Sequence, residues 1–397
     1  MLPLTYRLES GAGTAVGVVG GELTDPAGSF DLAVDLGSGH LRPGLINGHD
    51  HLHRNHYPRL GAPPYTDAYA WGRDIHRGWA EEVARGRALD RLDALRFGAL
   101  KNLLGGVTTV VHHDRWEPAF DRFFPVRVAR VRTVHSTGLE PGLEGAHSGD
   151  PELPLCIHVA EGTAPAVADE VRVLDRRGLL DARLIAVHAV GVDDDGVDRL
   201  RRAGAAVVWC PTSNVFLYGR TAPVGLLRSG IDVLLGSDAL LTGAGTLLDE
   251  LRAARRHGAL DERRLLDAVG PVSARRLSLP RPVLRPGAPA DLVHLRRPVL
   301  EATAADIGLV VVAGRPRLGD ERHAELFARA GVETEGLRVG GVAKLVEAPL
   351  AAVADRVIRQ WPEAGRVLEA PRPTAAAPGA AGRDAAAPGA GGERPAR

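Results

Sequence analysis

Short apolar runs recur along the middle of the chain at strand length. One lies at residues 41–50. Six more follow: GVTTVV (106–111), VRVARVRTV (126–134), LPLCIHVA (153–160), RLIAVHAV (183–190), AAVVWC (205–210) and IDVLLG (231–236). Amphipathic stretches such as LDRLDALRFGALKNLL and PAVADEVRVLDRRGLL lie between several of them. Buried apolar strands that alternate with helices build βαβ units around a parallel sheet. Seven strands within about two hundred residues favour a closed (β/α) barrel over an open sheet. The expected fold class is therefore α/β, with a TIM-like barrel over residues 43–282.

The chain ends read differently. Residues 1–42 are short, alternating and glycine-rich, as in TAVGVVGGEL and SFDLAVDL. Residues 283–320 return to that pattern with GAPADLVHL and DIGLVVVAGRPRLG. Tight turns between such alternating runs indicate strands. One small composite β-sandwich built from both ends, with the barrel inserted between them, is the economical expectation. Residues 321–368 are expected to be helical. Residues 369–397 are mostly Pro, Ala, Gly and Arg, too poor in apolar surface to order themselves, and are expected to form a disordered tail.

Composition removes some function classes. The chain is 45% apolar and 25% charged with zero formal net charge, which gives no reason to expect nucleic acid or a membrane as partner. It has no apolar run of eighteen residues and no visible secretory signal. Cys156 and Cys210 sit in apolar runs, as buried thiols of a reducing compartment would, so a cytoplasmic protein is expected. The expected partner is a small-molecule substrate.

The chemistry begins in PGLINGHDHLH, residues 43–53. Residues two apart on a strand point the same way, so His51 and His53 are expected on one face near the C-terminal end of the first barrel strand. Barrels place their active sites at that end. Two imidazoles a few ångströms apart suit a zinc-like ion. His158, His188 and Asp238 each end a later apolar run at the same relative position. An apolar barrel has little use for a carboxylate at its mouth unless something cationic meets it.

These residues resemble the amidohydrolase superfamily of metal-dependent hydrolases over roughly residues 1–320. The resemblance rests on PGLINGHDHLH, HVAE, VHA, the PTSN of 211–214 and GSDA. Within the superfamily, the chain looks most like the branch of S-adenosylhomocysteine, guanine and cytosine deaminases and triazine chlorohydrolases. The resemblance implies one divalent metal, zinc first and iron as the alternative, on His51, His53, His158 and Asp238. It implies Glu161 as proton shuttle, His188 as orienter of water or substrate, and Asp238 as proton acceptor. Binuclear members usually bridge their metals with a carboxylated lysine. The only lysines here are Lys101, before the second strand, and Lys344, beyond the barrel, so a single ion is expected.

Two departures from the branch stand out. Only one strand is visible between TTVV and CIHVAEG where the branch has two, so one βα unit is missing or much reduced. The loop after the first strand, HRNHYPRLGAPPYTDAYAWGRDIH, carries Trp71 and Arg73, expected as an aromatic and cationic wall against the substrate. His113 and His135 are further expected substrate contacts. Ser213 and Asn214 are expected to support the rim, and Trp209 and Cys210 to fill the core.

The resulting expectation is a hydrolase that attacks an sp2 carbon with metal-activated water, deaminating an amino-substituted heterocycle or amidine-like compound. The alternatives are hydrolysis of a cyclic or linear amide on the same fold, and a non-catalytic binding protein on a decayed scaffold. A lyase or isomerase using the metal to stabilise an enolate is not excluded. Barrels of this branch often pair, so a homodimer is compatible with the reading.

Overall fold

The computed structural model of the chain describes residues 4–122 and 124–369. The expected disordered tail lies outside the described residues from 370 onwards. The centre of the fold is two parallel ladders. The first joins β1 (Leu45–Asp50), β2 (Val107–His112) and β3 (Arg127–Val128). The second joins β4 (Arg132–Ser136), β5 (Leu155–Val159), β6 (Leu184–His188), β7 (Ala206–Trp209) and β8 (Asp232–Leu235). The strands follow the order expected of a barrel, but in two ladders rather than one continuous sheet. Past β8, the Asp238 N–H donates to the His49 carbonyl (3.0 Å) and the Ser237 N–H to Asn47 Oδ1 (3.0 Å), tying one side. On the other side, His113 Nε2 donates to the Val134 carbonyl (2.9 Å).

The region between β2 and β5 departs from a regular barrel. Only residues 129–131 separate β3 from β4. Parallel neighbours need a crossover of a dozen or more residues. The run 126–134 is therefore one extended segment that leaves the first ladder and joins the second. Among the described residues between β2 and β5, the helical elements are short 3-10 turns at Pro118–Asp121 and Glu144–His147.

Elsewhere helices follow the strands. After β1 come α1 (Ala68–Gly78), α2 (Ala80–Arg87) and α3 (Arg91–Leu103). After β5 comes α4 (Asp169–Arg176), and after β6 comes α5 (Asp194–Ala203). After β7 come α6 (Pro211–Tyr218) and α7 (Val224–Arg228). After β8 come α8 (Leu247–His257), α9 (Glu262–Ala268) and α10 (Pro271–Arg276). Local chemistry sets their ends. Asp193 caps α5 by accepting the Gly196 N–H, and Gly204 stops it in the left-handed conformation (φ 68°) that glycine adopts without strain.

Strand alternation divides the core. Ile46, Val111, Cys156, Ile185, Val187, Val208 and Leu234 fill the interior between the ladders. Ile157, Val159 and Trp209 face outwards and pack with the helices. Cys156 and Cys210 are buried free thiols.

The small domain has two sheets. Strands Glu22–Thr24, Ala15–Val19, Tyr6–Glu9 and Leu32–Asp35 form one, in that order. The other contains His40–Pro43, Leu292–Leu295, Ile307–Val312 and Arg315–Asp320, and continues into Val342–Glu347 and Thr334–Val339. Tyr6, Leu8, Val16, Leu292, Leu309 and Val311 share their core. The last two strands correct the all-helical expectation for residues 321–368. TEGLRV and VAKLVE are two half-buried strands joined by Gly340-Gly341, and only α11 (Ala324–Arg329), α12 (Leu350–Gln360) and two 3-10 turns are helical there.

Candidate active site

Four strand ends converge on one point. His49 lies on β1 and His51 just beyond it; His158 lies on β5, His188 ends β6, and Asp238 follows β8. The His49 ring centroid lies 4.9 Å from His51, 5.1 Å from His158 and 5.5 Å from His188. Asp238 Oδ1 is 3.6 Å from His49 Nε2 and 3.9 Å from His51 Nε2. Its Oδ2 is 4.0 Å from His188 Nε2. The backbone is bent to achieve this. Ile185 and Val187 face the interior, so strict alternation would turn His188 outwards. His188 (φ 72°) and Asp238 (φ 50°) instead adopt the left-handed conformation that residues with a Cβ rarely take. Such strain gathers at functional sites.

Hydrogen bonds fix the imidazole tautomers. His158 Nδ1 donates to the His135 carbonyl (2.6 Å). His188 Nδ1 donates to Asn214 Oδ1 (2.8 Å), whose amide NH2 is turned to Thr221 Oγ1 (3.2 Å). Since His113 Nε2 is spent on Val134, its Nδ1 is free to accept from His49 Nδ1, 3.3 Å away. Each arrangement leaves Nε2 of His49, His158 and His188 as a bare lone pair. His49 Nε2 is buried with no hydrogen-bond partner. Burial holds His49, His51 and His158 below the usual histidine range, so they stay neutral. The Asp238 carboxylate accepts from the Ser213 hydroxyl (2.7 Å), the Thr242 hydroxyl (2.9 Å) and the Ala239 N–H (2.8 Å), which favour its ionised form.

Neutral imidazole lone pairs around an ionised carboxylate repel one another unless a cation sits among them. The donor set fits a divalent metal. Two overlapping groups, His49/His51/Asp238 and His49/His158/His188, keep their ligand atoms within 4.8 Å of one another.

A buried polar network underlies the centre. The Asp50 carboxylate accepts from Asn55 (2.9 Å), Asn102 (2.8 Å) and Lys101 Nζ (3.2 Å). It thereby pins the backbone between His49 and His51. Lys101 is committed to that ion pair, and Lys344 to Asp320 (2.6 Å) in the small domain.

Beside the centre lies a cavity of about 360 Å³, lined by His51, His158, Glu161, His188 and Asp238 and walled by Trp71 and His135. Glu161 follows β5. Its Oε1 accepts from the Tyr218 hydroxyl (2.9 Å) and lies 3.6 Å from His188 Nε2. Burial raises the Glu161 carboxyl above its ordinary range.

Most expected site residues come together, with three exceptions. His53 does not reach the centre. The strand ends at Asp50, and Leu52–Arg54 form one 3-10 turn, so alternation no longer holds past His51. The pair at the centre is His49 and His51; His53 instead lies 3.2 Å from Asp114, against His112. Arg73 is exposed and does not line the cavity. It stands on α1, where Trp71, Gly72, Ile75 and His76 share the cavity face at helical spacing and leave Arg73 outside it. His113 lies behind His49 rather than against the cavity. The sequence reading also left Arg54 and Tyr218 without a role. Tyr218 sits one turn beyond Asn214 on α6, where a 3.6-residue count could have placed it near the rim.

Comparison with known proteins gives a consistent family. The model of the Amidohydrolase family matches residues 90–317. A 5-methylthioadenosine/S-adenosylhomocysteine deaminase of Pyrococcus furiosus is 30% identical over 188 residues, covering 41% of this chain and 43% of that relative. A 5'-deoxyadenosine deaminase of Methanosarcina mazei is 25% identical over 391 residues, covering 80% of this chain and 88% of that protein. Among solved structures, an adenosine deaminase from Xanthomonas campestris with bound zinc superposes with a TM-score of 0.65 at 20% identity, covering 92% of this chain and 99% of that one. At that identity the likeness speaks for the fold alone. No helix of the described residues is long and apolar enough to cross a membrane.

Proposed function

The chain belongs to the amidohydrolase family, and from that premise we propose that it is a metal-dependent hydrolase of carbon–nitrogen bonds other than peptide bonds, a deaminase of an amino-substituted heterocycle or amidine-like compound. The observation that carries the reading is Glu161, half-buried at the cavity wall, raised in pKa and 3.6 Å from His188 beside the convergent lone pairs.

His49, His51, His158 and Asp238 would hold one divalent ion, zinc in this reading. When bound, such an ion acts as a Lewis acid and lowers the pKa of a coordinated water towards neutrality. The chain's own groups supply the rest. Ser213 (2.7 Å) and Thr242 (2.9 Å) fix Asp238 Oδ2, so that the ionised carboxylate is held ready to take a proton. Glu161 has the raised pKa of a general acid and can protonate a ring nitrogen as ammonia departs. Tyr218 holds its carboxyl towards His188. His188 presents Nε2 towards the same point and orients water or substrate. Trp71, anchored by its indole N–H on the Leu60 carbonyl (3.0 Å), gives a planar substrate a flat wall. Relatives named as deaminases support the direction of the chemistry.

The test is elemental analysis followed by an ammonia-release assay on a panel of amino-heterocycles. About one zinc per chain and ammonia from at least one heterocycle are expected. Ring opening of cyclic amides without ammonia release would transfer the reading to amide hydrolysis.

A further inference from the structure

We propose that Arg54 anchors an anionic group of the substrate, so that the substrate is an amino-heterocycle carrying a carboxylate or a phosphate. The proposal rests on the deaminase reading for the heterocycle, but on separate observations for the anion.

Arg54 closes the 3-10 turn Leu52–Arg54, three residues after His51 of the centre. Its Nε donates to His53 Nε2 (3.3 Å). Among the described residues, its two terminal nitrogens make no hydrogen bond, and no carboxylate comes within 4.0 Å of the guanidinium. Asp114 is paired instead with Arg91 (3.6 Å), and its Oδ2 lies 3.2 Å from His53 Nε2. The half-buried Arg54 guanidinium stands in the cavity wall with no carboxylate in contact, so an anion in the cavity would gain a charge-assisted pair there. Arg54 is also placed to meet a ligand. It lines the 360 Å³ cavity of the centre and a second cavity of about 840 Å³, and His135 borders both. The second cavity opens against residues 113–116 and 130–135, where the run through β3 and β4 has no covering helix. A substrate whose reacting carbon faces Glu161 thus has room to extend past Arg54.

On the wall of the first cavity Arg91 is already paired with Glu117 and Asp114, which leaves Arg54 and Arg87 facing the carboxylates Glu161 and Asp238. A divalent ion on the histidines would add positive charge to this wall. A planar guanidinium fork recognises carboxylate and phosphate in two-pronged geometry, so a substrate bearing either would supply the missing partner.

The test uses the metal-loaded full chain and two probe pairs, benzoate against benzamide and phenyl phosphate against phenol, titrated by calorimetry. The wild type is expected to prefer the anion of at least one pair by about ten- to hundredfold. The pair with the larger preference distinguishes carboxylate from phosphate. Arg54→Gln should abolish the preference and Arg54→Lys retain part of it. Equal binding of anion and neutral probe by the wild type overturns the proposal. So does an undiminished preference in Arg54→Gln, which would place the anion on the metal or on another arginine. If Arg54→Gln fails to fold, the wild type is treated with phenylglyoxal and peptides are read by mass spectrometry. Protection of Arg54 by the preferred anion supports the proposal, and lack of protection overturns it. An Arg54-dependent preference without ammonia release from any heterocycle would sink the deaminase reading and leave the anion subsite standing. Equal turnover of neutral and anionic adenine nucleosides, unaffected by Arg54→Gln, would do the reverse.

Discussion

The two sides of the barrel mouth are built on different principles. From β5 to β8, each functional residue sits at or just past the end of a regular strand followed by a helix: His158, Glu161, His188 and Asp238. From β1 to β4 the rim is irregular. A 3-10 turn replaces the strand after His51, three helices intervene before β2, and β3 and β4 are halves of one bent run. The regular side holds groups that chemistry requires in fixed places. The irregular side holds the ligand pair His49 and His51 at the end of β1 and, around it, Arg54, Trp71, His113 and His135, which differ in kind and direction. Catalytic machinery on a rigid strand end and recognition on a variable loop is a division that barrels commonly make.

The comparison breaks most visibly at the first histidine pair. His49→Ala and His158→Ala should both lose the metal and with it all turnover, while His53→Ala should keep close to wild-type metal content. Elemental analysis after dialysis decides it. Metal lost from His53→Ala and kept by His49→Ala would return the ligand pair to the sequence expectation. Next in size is Glu161→Gln, which should keep the metal and lower kcat by about 10²–10⁴. An unchanged kcat at full metal loading would remove Glu161 from proton transfer.

The same contrast explains what the sequence disclosed. On the regular side the period of two carries through to the last residue of β5, so LCIHV alone places His158 inside and Val159 outside. At β1 the identical rule, extended past Asp50, selected His53. Nothing in HDHLHR announces that the strand has ended, because much of the signal is tertiary: Asn102 and Lys101 of α3 hold the Asp50 carboxylate from about fifty residues away. The run 126–134 read as one strand for a sound reason, since it is a single extended segment; its division between two ladders depends on partners remote in sequence. In the small domain the failure was of another kind. The strands TEGLRV and VAKLVE alternate visibly around Gly-Gly, a local period of two that distinguishes them from a helix.

His113 links the two sides, and its effect should be smaller than that of the ligands. Its Nδ1 accepts the His49 N–H and thereby directs the His49 lone pair to the centre. His113→Phe preserves ring bulk and removes the acceptor. Metal affinity, measured by competition with a chelator, should fall about 10- to 100-fold, as for other groups that orient a metal ligand. Turnover at saturating metal should change much less. An unaltered affinity would show that His49 needs no such partner.

The effect expected to touch activity least is one of pH, and it tests how firmly the regular side is held. Glu250 on α8 is fully buried, accepts the Thr212 N–H (3.0 Å) and meets the Thr212 hydroxyl, bracing the segment that carries Ser213 and Asn214. Burial pushes its carboxyl from 4.5 up to about 8. A group whose folded pKa is raised favours folding while protonated. Its contribution is complete below the unfolded value of 4.5 and is lost as pH rises through about 8. The displacement is worth at most about 5 kcal/mol. Glu250→Gln supplies an amide that accepts from the Thr212 N–H and donates to the hydroxyl oxygen, as the protonated acid does, yet cannot ionise. The melting temperature of the variant relative to wild type should therefore climb between pH 5 and pH 8.5. A difference that stays flat over that range would mean that Glu250 is ionised throughout, and that the α8 brace rests on charge-assisted hydrogen bonds instead of a buried neutral acid.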